Sequence, residues 1–207
     1  MTWMLFGRPS RPTREESDPL LDRFIPRYEI REHHHIRVKA PAAVTLEAAS
    51  QGEMFDTPLI RAIFKARELL LGTEPDTRER PKGLVAAMRS IGWGLLAEVA
   101  GREIVMGAVT KPWEANVVFR PIPPDRFAAF AEPGYVKIAW TLRADPVDDT
   151  HSVFRTETRA SSTDPASRER FRRYWALVSP GIVAIRWLGL QPTRRAAERA
   201  ARRTVAT

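Results

Sequence analysis

Cysteine is absent from this 207-residue chain. Disulfides, thiolate metal sites and cysteine nucleophiles are thereby excluded, and the composition suits a reducing compartment. Lysine is scarce as well, since 28 of the 33 basic residues are arginine. No uninterrupted apolar run approaches the roughly 20 residues needed to span a bilayer. The apolar start Trp3-Met4-Leu5-Phe6 is too short for a signal-peptide core, and no small-residue cleavage pattern follows it. A cytoplasmic protein is expected; the alternative for this start is contact with a membrane surface or with the protein body. The sequence has no G-x-S-x-G, phosphate-binding loop, dinucleotide fingerprint or H-E-x-x-H. The usual signals for hydrolase, nucleotide and zinc chemistry are missing, and no cofactor is expected.

What is present suffices for one domain with a sizeable core, because 43% of the residues are hydrophobic. The formal net charge of +8 is unevenly placed. From Asp164 onward ten arginines face only Asp164, Glu169 and Glu198, giving +7, whereas residues 1–163 carry +1. Basicity therefore belongs to the last helix and tail. A solvated arginine-rich helix face with a frayed tail is the favoured reading of that patch. The alternative is a surface that meets nucleic acid or an acidic membrane.

Residues 7–27, punctuated by Pro9, Pro12, Pro19 and Pro26, read as an irregular arm. From Tyr28 to Lys39 the pattern is that of a strand. Tyr28, Ile30, Glu32, His34, Ile36 and Val38 share one face, and Glu29, Arg31, His33, His35, Arg37 and Lys39 share the other, which is expected to meet water. Ala42 to Ser50 forms a short helix behind Pro41, and a second helix begins at Pro58. Strands follow over Trp93–Val99 and Arg102–Thr110, joined at Ala100-Gly101. Asn116–Arg120 looks extended, and Pro121 to Pro124 bends the chain. Gly134–Ala144 and His151–Ser162 are the last strands. Asp164 caps a long helix with Pro165 at its first position. Phe171, Tyr174, Trp175, Val178, Ile182, Ile185 and Leu188 recur along it at three- and four-residue spacing, to about Leu190. Pro180 is expected to kink or divide this helix.

This order resembles the START-like, or Bet v 1-like, helix-grip superfamily, which includes bacterial polyketide cyclase/dehydrase-like and other SRPBCC proteins. The residues that carry the resemblance are Ile36-Arg37-Val38-Lys39-Ala40-Pro41, Thr156-Glu157-Thr158-Arg159, and the Asp164-initiated helix with Phe171, Tyr174 and Trp175. It spans about residues 28–190, leaving the arm 1–27 and a basic tail 191–207 outside. The resemblance implies an α+β fold: a curved antiparallel sheet wrapped around a long C-terminal helix, with two short helices after the first strand. It also implies a cavity for an apolar small molecule such as a lipid, sterol or polyketide, and it does not fix a function.

If Ile36 and Val38 face the helix, parity turns Glu32 and His34 inward, the best candidates for polar groups in an apolar pocket. They orient a ligand, form an acid–base couple, or simply bond each other or water or pair with an arginine under the helix, and this last is the favoured reading. Met106, Trp140, Phe154 and Trp175 line the cavity or are plain core, the latter favoured. Thr156 and Thr158 would help orient a ligand, and Trp113 belongs at the pocket rim. Glu157 and Arg159 fall on the presumed outer face as an ion pair. Consecutive strand residues alternate faces, so His33, His34 and His35 cannot converge on a metal. Binding of a small hydrophobic molecule is the leading function. A polyketide cyclase/aromatase-like enzyme using Glu32 and His34 is the first alternative, and an interaction module built on the arginine-rich helix and tail is the second. The sequence leaves the oligomeric state open.

Overall fold

The computed structural model describes residues 12–13, 16–52 and 81–205; the helix expected from Pro58 lies outside them, as does the apolar start. Alternating side chains make β1 (Ile30–Val38), and Pro41 ends it ahead of α2 (Ala42–Ser50). An earlier turn of helix, α1 (Pro19–Asp22), lies in the arm. Next come α3 (Leu84–Ser90), β2 (Gly94–Val99) and β3 (Glu103–Thr110). The turn between β2 and β3 uses Gly101 at φ +66°, a left-handed conformation that glycine adopts without strain. α4 (Pro124–Phe127), β4 (Val136–Pro146), β5 (Ser152–Ser162) and α5 (Pro165–Val205) complete the chain.

The strands form one antiparallel sheet in the order β1-β5-β4-β3-β2. The first strand is thus zipped to the last, and the sheet grips α5. This is an α+β helix-grip fold. Parity fixes the face toward α5, whose rows run across strands: Ile30–Ala160–Ile138, then Glu32–Thr158–Trp140–Met106, with His34 opposite Thr156 and Ile36 opposite Phe154.

Two apolar clusters close the ends of the space between sheet and helix. At the start of α5, Phe171 and Trp175 pack on Ile30, Val136 and Ala160. At its far end Leu190 and Ala197 join a larger core with Val38, Leu46, Met88, Met106, Trp140 and Phe154. The helix therefore runs alongside β1, from Ile30 toward Val38, and the amide of Lys39 donates to Glu198 at 3.3 Å.

Four expectations are corrected. α5 is not divided at Pro180 and does not stop near Leu190: it is helical from Pro165 to Val205 through both Pro180 and Pro192. Pro180 and Ala176, whose carbonyl loses its helical donor, are both exposed, so water can replace the missing bond. The residues expected to form a frayed tail are thus largely helix. Second, Asn116–Arg120 is no strand; Arg120 alone bridges to Val109.

Third, the arm is not merely irregular. Leu21, Phe24 and Ile25 are buried against Leu96, Val105, Phe127 and Ala139 on the sheet's outer face. Phe24 meets Phe127 edge-on at 6.2 Å, a pairing worth about 0.5–1.5 kcal/mol beyond its buried area. Gly107 makes room for this layer, because a Cβ there would lie 2.4 Å from Leu96 and 2.9 Å from Phe127. Fourth, that face of β1 and β5 does not all meet water. Arg31, Glu157 and Arg159 are buried beneath the arm, and His33 is largely covered, while His35, Arg37 and Lys39 are exposed.

Candidate functional site

The middle of the sheet–helix space differs from its ends. Ile36, Ile138, Tyr174, Val178 and Ile182 border the two apolar clusters, yet each is only half-buried. Residues 181–186 of α5 are half-buried throughout, although the clusters on either side are closed.

Facing this middle are polar groups that are unpaired among the described residues. Glu32 is 1% exposed, and neither carboxylate oxygen has a hydrogen-bond partner among the described residues. His34 Nε2 lies 3.6 Å from Glu32 Oε2, too long for a hydrogen bond, and is itself unpartnered. Thr158 Oγ1 and Trp175 Nε1 are likewise buried without a partner. An unpaired buried polar group costs about 1–3 kcal/mol and a charged one more, so such a cluster calls for an explanation.

α5 contributes the residue that sequence reading missed. Arg186 donates to Thr156 Oγ1 at 3.2 Å, and the Glu32 carboxylate lies close enough to act on its charge. Burial lowers the Arg186 pKa to about 10, with Glu32 opposing the shift; the guanidinium remains protonated at neutral pH. A signal was available. Arg186 is the sole Asp, Glu, Lys, Arg or His between Tyr174 and Thr193, and it falls four residues after Ile182 on the buried stripe. A single charge on an apolar helix face asks for a buried counter-charge, and Glu32 was the candidate already identified.

The structure thus brings Glu32, His34, Thr156 and Thr158 together on adjacent strands, with Arg186 across from them and Trp175 toward one end. Trp113 is half-buried beside the Phe171–Trp175 cluster. Met106, Trp140 and Phe154 are enclosed in the larger core; Trp140 packs edge-on against Trp93 at 6.1 Å. His33 and His35 sit on the opposite face with ring centres 5.6 Å apart, away from His34. Among the described residues no three His, Asp or Glu side chains gather as a metal site. No helix of the described residues is long and apolar enough to cross a membrane.

Two open grooves lie elsewhere. One, of about 590 Å³, runs between α2, α3 and the β2–β3 edge past Ser50, Lys82, Arg89 and Glu98. The other, of about 380 Å³, lies at Arg23, Arg102 and Arg143. Both have exposed, charged margins, unlike the enclosed polar row under α5.

The arrangement defines a helix-grip protein with a polar row at the centre of its grip, and its resemblance to the START-like and Bet v 1-like class holds at the level of fold. The sequence matches no protein-family model and no curated protein. Among solved structures, a hypothetical protein from Helicobacter pylori aligns with 85% of this chain and 93% of its own, at 6% identity and a TM-score of 0.43. A Thalictrum norcoclaurine synthase point mutant, in complex with a transition-state analogue, aligns over 81% of this chain and 92% of its own, at 11% identity and a TM-score of 0.35. A START superfamily protein from Mycobacterium smegmatis aligns over 84% and 98%, at 10% identity and a TM-score of 0.30. Likenesses this distant carry no argument about activity; the fold rests on the element order and strand pairing above.

Proposed function

We propose that this protein binds a small, mainly apolar molecule bearing one polar group, between the inner face of the sheet and the middle of α5. The observation that carries the reading is the row of buried polar atoms without partners among the described residues, Glu32, His34 and Thr158, set in an apolar surround opposite Arg186. The half-buried Ile36, Ile138, Val178 and Ile182 would supply the driving force, at about 25 cal/mol per Å² of apolar surface removed from water, before the costs of binding. Glu32 and Thr158 would receive and donate hydrogen bonds from the ligand's polar group, and Arg186 with Thr156 would hold an acceptor. A sterol, a lipid or a polyketide-like molecule each has this division into a large apolar body and a small polar end.

The test is a titration with an apolar fluorescent reporter, followed by competition with a panel of lipids, sterols and aromatic polyketides. One saturable site is expected, weakened about tenfold or more by Ile182→Trp, which fills the middle of the space. Saturation with the same affinity in a folded Ile182→Trp variant would place binding elsewhere and remove the proposal.

The separation of His34 and Glu32 by 3.6 Å favours a second reading, a cyclase- or aromatase-like enzyme in which this couple moves protons on a bound reactive chain. In that case His34→Ala abolishes turnover but leaves reporter binding intact. Unchanged turnover in His34→Ala and in Glu32→Gln would exclude the couple from catalysis.

A further inference from the structure

The middle of α5 is built inside out. Arg186 turns inward and its neighbour Trp187 turns outward, 64% exposed. A rotation of one residue, about 100°, would bury the indole and solvate the guanidinium. Glu32 and Thr156 explain why the arginine stays inside. Nothing among the described residues explains why a tryptophan stays outside.

Trp187 belongs to a continuous outer stripe. Arg170, Arg173, Leu177, Pro180, Ala184, Trp187, Gln191, Arg195, Arg199 and Arg202 recur at three- and four-residue intervals and so share one helix face. The centre of that stripe is apolar, with Leu177 56% exposed and Pro180 also open. Both ends are basic. Arg173 pairs with Glu169, whereas Arg170, Arg195, Arg199 and Arg202 have no acidic partner among the described residues. At 1.5 Å per residue the stripe is about 50 Å long, and it lies on a helix that Pro180 does not interrupt.

We infer that the outer face of α5 lies on an anionic lipid bilayer. An interfacial helix needs an apolar strip that sinks to the acyl boundary and arginines that reach the phosphate layer, and a tryptophan suits the headgroup level between them. A nucleic acid would use the arginines but has no place for an exposed Leu177, Pro180 and Trp187 at the centre of the contact. The inference does not depend on the ligand site, since the two stripes share the helix but no side chains.

The experiment is co-sedimentation of the full chain with vesicles of phosphatidylglycerol and phosphatidylcholine, against phosphatidylcholine alone. Binding is expected to the anionic vesicles only and to fall as salt is raised. Leu177→Ser with Trp187→Ser should weaken partitioning about tenfold, and Arg195→Gln, Arg199→Gln and Arg202→Gln together about a hundredfold. These positions are exposed, so circular dichroism should show the fold unchanged. Brominated acyl chains should quench tryptophan emission in the wild type, and Trp187→Phe should remove that quenching while keeping vesicle binding. Three results overturn the inference: no binding to anionic vesicles, binding indifferent to Leu177 and Trp187, or quenching that survives Trp187→Phe. Tighter binding to duplex RNA that needs the arginines but not Leu177 and Trp187 would assign the face to nucleic acid instead.

Discussion

Glu32 and Glu157 are the same residue on neighbouring strands, buried to almost the same degree at 1% and 2% exposure, on opposite faces of one sheet. Their surroundings differ completely. Glu157 accepts from Arg159 Nε at 2.7 Å and from Arg31 Nη2 at 2.9 Å. Arg159 in turn donates to Asp22 and to the carbonyl of Ile25, and its guanidinium stacks over Tyr28 at 4.7 Å. The Glu32 carboxylate accepts no hydrogen bond among the described residues. Burial of a carboxylate therefore does not reveal its role; the completeness of its partners does. On the outer face the charges tie the arm to the sheet. On the inner face the Glu32 carboxylate has only the nearby charge of Arg186 to set against its desolvation cost among the described residues.

The largest effect that can break this comparison is Glu157→Ala. It removes the buried carboxylate that Arg31 and Arg159 share and leaves them only the more exposed Glu16 and Asp22, so urea denaturation should show a loss of about 3–5 kcal/mol. A loss under 1 kcal/mol would mean that the outer network is as dispensable as a surface ion pair. Leu21→Ala tests whether the arm covers that network, since Leu21 is fully buried over the sheet. A loss of about 2–4 kcal/mol is expected, with faster proteolysis ahead of residue 28.

On the inner face the sign should reverse. Replacing Glu32 and Arg186 together by Met and Leu removes two imperfectly compensated charges, and stability should hold or rise by about 1–2 kcal/mol while reporter binding falls. A double variant that is destabilised would show Glu32 and Arg186 to be a structural pair after all.

The two faces also differ in pH dependence. Burial pushes His33 down to about 4, and burial with the neighbouring Asp18 carboxylate raises Glu103 to about 8. His33 binds its proton less readily folded than unfolded, so stability is lost as pH falls from 6.5 toward 4. Glu103 binds its proton more readily when folded, so its contribution is full below about 4.5 and is lost as pH rises through 8. Glu103→Gln should flatten the alkaline decline in the unfolding midpoint and leave the acid decline in place; an alkaline decline unchanged by this substitution would show that Glu103 does not sense the fold.

Much of the site was legible because a strand has a period of two. Once Ile36 and Val38 faced the core, Glu32 and His34 had to follow, and β5 set Thr156 and Thr158 beside them. Arg186 could be read only by treating a lone charge on an apolar helical stripe as a demand for a partner. The burial of Glu157 and Arg159 was not legible. Parity put them opposite α5, but their cover comes from Leu21, Phe24 and Ile25, which are 132 to 138 residues away along the chain and lie among prolines and charges.

The sequence by itself determined the elements, their order and the inward set of each strand, because these depend on local backbone periodicity, capping by Asp164 and the breaks at proline and glycine. Only the tertiary structure decided which outward residues are solvated and which are sealed. Burial is a property of distant segments meeting, and no local pattern encodes the arm that lies over the sheet or the single helix that carries Arg186 on one side and Trp187 on the other.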